Sequence, residues 1–233
     1  MSGAEERALN IPVGELTLHG DLAVLRESRR LVLFAHGSGS SRRSPRNRYV
    51  ARVLQQAGIS TLLFDLLTAA EERVDESTAE LRFDIGLLAS RLRTATDRVL
   101  GLGEVDPTGR VMPTDLGLGY FGASTGAAAA LVAAVSRRDI AAIVSRGGRP
   151  DLAGEALALV TAPTLLIVGG NDDAVIRRNI AARARMKVET RLEIIPGATH
   201  LFEEPGALEE VARLARMWFE VHLGRRQESG HAA

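Results

Sequence analysis

The chain has 233 residues, of which 45% are hydrophobic and 25% charged, and this length and composition predict one globular domain over residues 1–233. Its 29 basic residues balance its 29 acidic residues, so no net charge would draw it to nucleic acid or to a membrane surface. It contains no cysteine, which excludes disulfides, thiol nucleophiles and zinc–thiolate or iron–sulfur sites.

The two ends of the chain are polar. Residues 1–12 lack the apolar core of a secretory signal, and no apolar run approaches the length of a membrane span. Residues 224–233 are too polar to pack against a core. We therefore expect a cytoplasmic protein in which residues 1–12 form a flexible leader and residues 224–233 a flexible tail.

The first predicted element is a hairpin, because two apolar runs flank the turn-prone sequence His19-Gly20-Asp21. Further along, six short apolar runs are typical of parallel strands that are buried on both faces of a sheet. These runs cover residues 31–35, 60–65, 116–122, 140–145, 162–169 and 190–195. Together with the hairpin they predict a mostly parallel sheet of about eight strands.

Helical patterns lie between the predicted strands. Ser44 and Pro45 mark the start of the first helix, as N-cap and first-turn proline. Ser77 and Glu80, at capping-box spacing, predict the start of a long second helix, and a last helix follows Pro205. This alternation of strands and helices predicts an α/β fold with helices on both faces of the sheet.

Ligands of such folds bind at the loops that follow the strands. Residues 66–77, between a strand and the long helix, are the only segment that could form a partial lid, and the chain has no room for a large cap domain. We expect an open site that favours small or short-acyl substrates.

A glycine-rich stretch, residues 117–126, matches two motifs. Its GxGxxG spacing is that of a dinucleotide-binding turn, but the first two glycines lie inside an apolar strand, so we give this match little weight. Gly122 to Gly126 match GxSxG where a strand turns into a helix, a geometry that exposes the serine hydroxyl. This placement makes Ser124 the candidate nucleophile.

A serine nucleophile needs a base and an acid that orients it. His200 follows the last strand in a loop that reaches the same edge of the sheet, although an exposed loop histidine is an equal alternative. Asp172 and Asp173 follow the preceding strand, and the loop spacing favours Asp172 as the acid. Either aspartate could instead cap the next helix.

An oxyanion hole requires two backbone donors. Thr125 N–H, at a helix N-terminus just past the nucleophile, is the first, and Ser38 N–H in the loop HGSGSS is our choice for the second. Arg146 and Arg149 are on the same side of the sheet and are candidates for contact with a substrate carboxylate. Surface ion pairs with acidic neighbours are the more common role of such arginines.

The order Ser124, Asp172, His200 resembles that of the α/β-hydrolases, and the region from Leu31 to Phe219 resembles the compact dienelactone hydrolase-like family. The resemblance implies an α/β-hydrolase fold and a Ser-His-Asp triad. Dienelactone hydrolases proper carry a cysteine nucleophile, which this chain lacks. Some relatives are joined to a phosphoribosyltransferase domain, but the acidic pair and threonine-rich loop of that domain are missing here.

These features predict a serine hydrolase that cleaves carboxylic esters through an acyl-enzyme on Ser124. The expected partner is a small-molecule ester, without nucleic acid, membrane, metal or organic cofactor, and the oligomeric state is open. A thioesterase, an acyltransferase or a lactone hydrolase of the dienelactone type would share the same triad. A small-molecule binding protein on a hydrolase scaffold is the alternative outside enzymes.

Overall fold

The computed structural model describes residues 5–25, 28–101 and 116–224. Within these ranges one eight-stranded sheet has the order β1-β2-β4-β3-β5-β6-β7-β8. The strands are β1 Glu5–Val13, β2 Leu16–Val24, β3 Arg30–Ala35, β4 Ser60–Phe64, β5 Gly117–Ala123, β6 Ile140–Arg146, β7 Thr164–Gly169 and β8 Thr190–Ile195. Strands β3 to β8 are parallel, while β2 pairs antiparallel with β1 and β4. The predicted fold class is confirmed.

Helices cover both faces of the sheet. They are α1 Pro45–Gln56, α2 Ala69–Thr78, α3 Ile85–Gly101, α4 Thr125–Val135, α5 Asp173–Arg183 and α6 Ala207–Leu223, with 3₁₀ segments at Leu81–Phe83 and Pro150–Ala158. One apolar core packs α3 and α4 against the sheet, and a second core packs α1 and α6 against it. The predicted start of α1 is confirmed, since Ser44 accepts a hydrogen bond from Asn47 N–H, 3.4 Å.

The hairpin forms at a different turn from the predicted one. Strand β2 continues through His19-Gly20-Asp21, and the chain reverses at Gly14, whose φ is +58°. A Cβ at Gly20 would lie 2.9 Å from the Leu62 side chain and 3.2 Å from Phe64 Cβ, so this glycine allows β4 to approach rather than forming a turn.

The prediction of a flexible leader over residues 1–12 is wrong for residues 5–12, which lie in β1. Leu9 and Ile11 alternate with exposed residues and enter the core, and this period of two explains the strand. Residues 1–4 and the predicted flexible tail from residue 225 onward lie outside the described residues.

The predicted long helix begins later than expected, at Ile85, the first residue of α3. Helix α2 ends at Thr78, and Ala79 adopts a left-handed conformation with φ 55°, so Ser77 and Glu80 cap nothing. The capping box is formed by Thr68 and Glu71 instead: Thr68 N–H donates to Glu71 Oε2, 2.8 Å, and Glu71 N–H donates to Thr68 Oγ1, 3.3 Å. The segment predicted as a partial lid therefore carries a well-capped helix.

Candidate active site

Ser124 occupies a sharp turn between β5 and α4. Its φ of 50° and ψ of −120° are rare for a residue with a side chain, and its hydroxyl does not cap α4. The glycines of the motif are sterically required, because a Cβ at Gly122 would overlap Ala127 and one at Gly126 would overlap the backbone of Ala35. The turn therefore leaves the Ser124 hydroxyl unused by the helix that it precedes.

His200 and Asp172 form a direct pair. The imidazole Nδ1–H donates to Asp172 Oδ2 over 2.8 Å, and the other carboxylate oxygen accepts from Val175 N–H, 3.3 Å, at the start of α5. Asp173 is the first residue of α5 and is exposed. Asp172 thus orients the histidine and caps the helix at once, so the two alternatives from the sequence apply to the same side chain.

Ser124 and the His200 loop both approach the end of β6. Ser124 N–H donates to Arg146 O over 3.2 Å. The next residue, Gly147, has φ +53°, and a Cβ there would lie 3.2 Å from His200 O and 3.5 Å from its Cε1. Among the described residues no hydrogen bond joins the Ser124 hydroxyl to the His200 ring. Such bonds often form only when substrate binds.

The loop after β3 lies against Ser124. A Cβ at Gly37 would lie 2.9 Å from Ser124 Cβ and 3.1 Å from Ala123 O, so only glycine allows this approach. Ser38 Oγ and Thr125 Oγ1 are 3.1 Å apart. Thr125 N–H belongs to the first turn of α4 and has no partner within the helix. The two residues predicted to supply the oxyanion hole are therefore in contact beside Ser124.

His36 fixes this loop from behind, a role that sequence reasoning missed. Leu66 N–H donates to His36 Nε2 over 2.9 Å, so the other ring nitrogen carries the proton and donates to Gly37 O, 2.9 Å. Burial lowers the pKa of His36, which favours this neutral form. The position of a histidine between a strand and a glycine-rich loop was the signal available in the sequence.

A cavity of about 220 Å³ opens beside the loop. Its lining includes Ser38 and Thr125 together with Glu72, Asp75 and Glu76 of α2. Asp75 is paired with Arg82 Nε, 2.5 Å. Burial and the nearby carboxylates of Asp65 and Glu76 raise the pKa of Glu72. Several acidic side chains are therefore close together in this part of the lining.

Arg146, the last residue of β6, and Arg149, in the loop that follows, both have contacts within the protein. Arg149 forms a two-pronged ion pair with Asp151, with Nε–Oδ1 2.9 Å and Nη2–Oδ2 2.7 Å. Arg146 is buried, and its Nη2 donates to Asn47 Oδ1 over 3.3 Å. Contact of either arginine with a substrate stays a prediction.

In the described part of the chain, no three histidine or carboxylate side chains are grouped so that they could hold a metal ion. Across the same residues, no helix is both long and apolar enough to cross a membrane.

Comparison with solved structures identifies the family. The chain is 56% identical to a dienelactone hydrolase from Anabaena variabilis ATCC 29413, with a TM-score of 0.87 over 95% of this chain and 100% of that one. It therefore belongs to the dienelactone hydrolase-like family of α/β-hydrolases. Est1E from Butyrivibrio proteoclasticus, 17% identical over 96% of this chain and 100% of its own with a TM-score of 0.73, shares the fold.

Curated sequences add a longer kind of relative. Two Mycobacterium tuberculosis proteins, from strains CDC 1551 / Oshkosh and H37Rv, are named "Putative phosphoribosyl transferase" and are 53% identical over 219 residues. The match covers 94% of this chain and 47% of each relative, so the chain spans about half the length of the curated relatives it matches. No protein-family model matches the chain.

Proposed function

We propose that the chain is a serine carboxylesterase that cleaves small, uncharged esters through an acyl-enzyme on Ser124. One observation carries the proposal: the hydrogen-bonded pair of His200 and Asp172 packs on Gly147, next to the residue whose carbonyl holds Ser124. A base that is oriented by a carboxylate and lies near a partly exposed serine is the arrangement that activates a hydroxyl for acyl transfer.

The first half-reaction forms the acyl-enzyme. Ser124 Oγ attacks the ester carbonyl carbon while His200 Nε2 takes the hydroxyl proton, and the Asp172 carboxylate stabilises the resulting imidazolium through Nδ1–H. The oxyanion accepts hydrogen bonds from the amides of Thr125 and Ser38. The carbon–oxygen bond to the leaving group then breaks, and His200 gives its proton to the departing alkoxide, which leaves as the alcohol.

The second half-reaction returns the enzyme to its starting state. Water attacks the acyl carbon while His200 takes one of its protons, and the same two amides stabilise the second oxyanion. Collapse breaks the bond to Ser124 Oγ, which recovers the proton from His200. The acid is released with the second proton of the water, while the first has passed through His200 to Ser124.

The charge of the cavity favours an uncharged substrate. Glu72 and Glu76 line the cavity together with Ser38, and a carboxylate on the acyl group would meet their negative charge. Arg149 is already neutralised by Asp151. The dienelactone substrate carries a carboxylate, so these contacts support a neutral ester over that lactone.

A thioester or a second acceptor alcohol would use the same groups, because the leaving group and the acceptor do not alter the roles of Ser124 and His200. The mycobacterial relatives that are named as phosphoribosyl transferases are about twice as long as this chain. We assign no phosphoribosyl transfer to this chain, since the site provides a nucleophile and a base rather than a site for a diphosphate.

Labelling with a fluorophosphonate, followed by peptide mass mapping, tests the proposal. We expect one adduct on Ser124 and loss of p-nitrophenyl acetate hydrolysis in Ser124→Ala. The matched control is Ser136→Ala, which removes a hydroxyl at the other end of α4 and should label and hydrolyse like the wild type. Folded wild-type protein without an adduct on Ser124 would support the binding-protein alternative and refute the proposal.

A further inference from the structure

Arg146 is a buried cation without a carboxylate partner. Only 7% of the residue is exposed, and none of the ion pairs formed by the described residues includes it. Its Nε has no hydrogen-bond partner, and the bond to Asn47 is long at 3.3 Å. Burial, and then the charge of Arg46, lower the pKa of Arg146 to about 10, so it is still a cation at neutral pH. A charge buried without a paired carboxylate is costly, so the contacts that this guanidinium does make need an explanation.

The guanidinium lies over an aromatic ring in the loop that carries His200. Its carbon lies 5.7 Å from the centre of the Phe202 ring, two residues after His200, at the distance of a cation–π contact. Phe202 is fully buried and has φ 56°, a left-handed conformation that is strained for a residue with a Cβ. Such a conformation persists only where the surroundings hold it, and Arg146 is part of those surroundings.

The backbone of the same residue holds the nucleophile. Arg146 O accepts the hydrogen bond from Ser124 N–H, and the following Gly147 lies under the His200 ring. One residue therefore contacts the serine turn through its carbonyl and the histidine loop through its side chain, while Asn47 of α1 holds the far end of the guanidinium.

We infer that Arg146 is a positioning residue, whose stacking on Phe202 fixes the His200 loop relative to the backbone that holds Ser124. This inference rests on the proposed function. Misplacement of a base by about 1 Å can cost about a hundredfold in rate, so loss of the stack should lower kcat while substrate binding at the oxyanion loop is preserved.

Kinetics of p-nitrophenyl acetate hydrolysis test this inference. We expect Arg146→Met and Phe202→Leu each to lower kcat about ten- to a hundredfold, with KM within about twofold of the wild type. The double variant should be no slower than the slower single variant, because both substitutions remove the same contact. Arg146→Lys, which restores the charge, should recover part of the loss.

The chain offers a matched control for the loss of a cation–π pair. Arg191 lies over the Trp218 ring, also at 5.7 Å. It is the second residue of β8 and so lies at the amino ends of the parallel strands, whereas the site is at their carboxyl ends. Arg191→Met should leave kcat within about twofold of the wild type. If Arg146→Met does not fold, Phe202→Leu carries the test, since it keeps an apolar side chain in the core.

Three results would overturn the inference. The first is a folded Phe202→Leu variant with wild-type kcat, and the second is additive effects in the double variant. The third is a rise in KM at constant kcat, which would make Arg146 a substrate contact. The proposed function would still hold after any of these results if the wild-type protein hydrolyses the ester and is labelled on Ser124. Wild-type protein without label or activity would refute both.

Discussion

The carboxylate of Asp172 holds His200 with one oxygen and caps α5 with the other, at 2.8 Å from the ring nitrogen and 3.3 Å from Val175 N. The position of the histidine is therefore tied to the start of a helix, which is rigidly attached to the sheet through β7. A side chain that both caps a helix and orients a base can lose one role and keep the other.

Asparagine at position 172 separates the two roles, because its side-chain oxygen still caps a helix but does not carry the charge that stabilises an imidazolium. We expect Asp172→Asn to lower kcat about a hundred- to ten-thousandfold while the thermal midpoint changes little. Asp173→Asn, the matched control on the exposed neighbour, should retain wild-type kcat. A larger loss in Asp173→Asn would move the acid to that residue.

Close approach of the loop after β3 gives a second prediction. Alanine at Gly37 would place its Cβ 2.9 Å from Ser124 Cβ, so either the loop or the serine must move. We expect Gly37→Ala to lower kcat about ten- to a hundredfold, because the oxyanion donors shift with the loop. Gly86→Ala is the control, since its nearest contact is an ordinary 3.4 Å to Asp84. Equal kcat for the two variants would contradict the close packing.

The candidate nucleophile could be predicted because its requirements are local. Two glycines flanking a serine between an apolar strand and an alanine-rich helix follow from the sterics of one turn. Asp172 and His200 could also be proposed, because parallel strands bring the loops that follow them to one edge.

Three other contacts between distant segments could not be predicted. Thr68-x-x-Glu71 and Ser77-x-x-Glu80 have the same capping-box spacing, and only the former acquires a partner from α3, where Arg91 Nη1 donates to Glu71 Oε2 over 2.9 Å. The sequence around Gly20 is typical of a turn, and only the position of β4 beside it explains why the residue lies in the middle of β2. The stacking of Arg146 on Phe202 joins residues 56 positions apart and likewise has no local signal.

His36 should make the fold sensitive to mild acid. Burial lowers its pKa below the usual 6.5, so above pH 6.5 neither the folded nor the unfolded chain is protonated there, and stability is lost as pH falls from 6.5 toward the lowered value. His36→Gln keeps an acceptor for Leu66 N–H without a titrating group. We expect the free energy of unfolding to fall more steeply between pH 7 and 5 in the wild type than in His36→Gln, measured by urea unfolding. Equal slopes would contradict the neutral tautomer.

The acidic wall of the cavity should discriminate between substrates by charge. We expect the wild type to prefer p-nitrophenyl acetate to the anionic p-nitrophenyl hemisuccinate in kcat/KM. Glu72→Gln should reduce that preference about fivefold, since it removes one carboxylate from the lining. Glu80→Gln changes an exposed carboxylate that does not line the cavity and serves as the control. An unchanged preference in Glu72→Gln would place the acyl group elsewhere.

Glu71 gives the fold a second response to acid, at lower pH. Its hydrogen bond to the buried Arg91 is the main reason that the pKa of this carboxyl falls from 4.5 to about 2. Because the folded-state pKa is depressed, the stabilisation is complete above pH 4.5 and is lost as pH falls toward about 2, where the folded chain also binds the proton. We expect Glu71→Gln to be less stable than the wild type at pH 7, by urea unfolding, with the difference shrinking steadily below pH 4.5.

The control is Glu155→Gln, which breaks an exposed ion pair with Arg185 and should lower the free energy of unfolding little at any pH, as loss of a surface pair does. If the Glu71 and Glu155 variants behaved alike, the link between α2 and α3 would contribute no more than a surface pair, and the pair of the buried Asp75 with Arg82 would have to hold α2 beside the cavity.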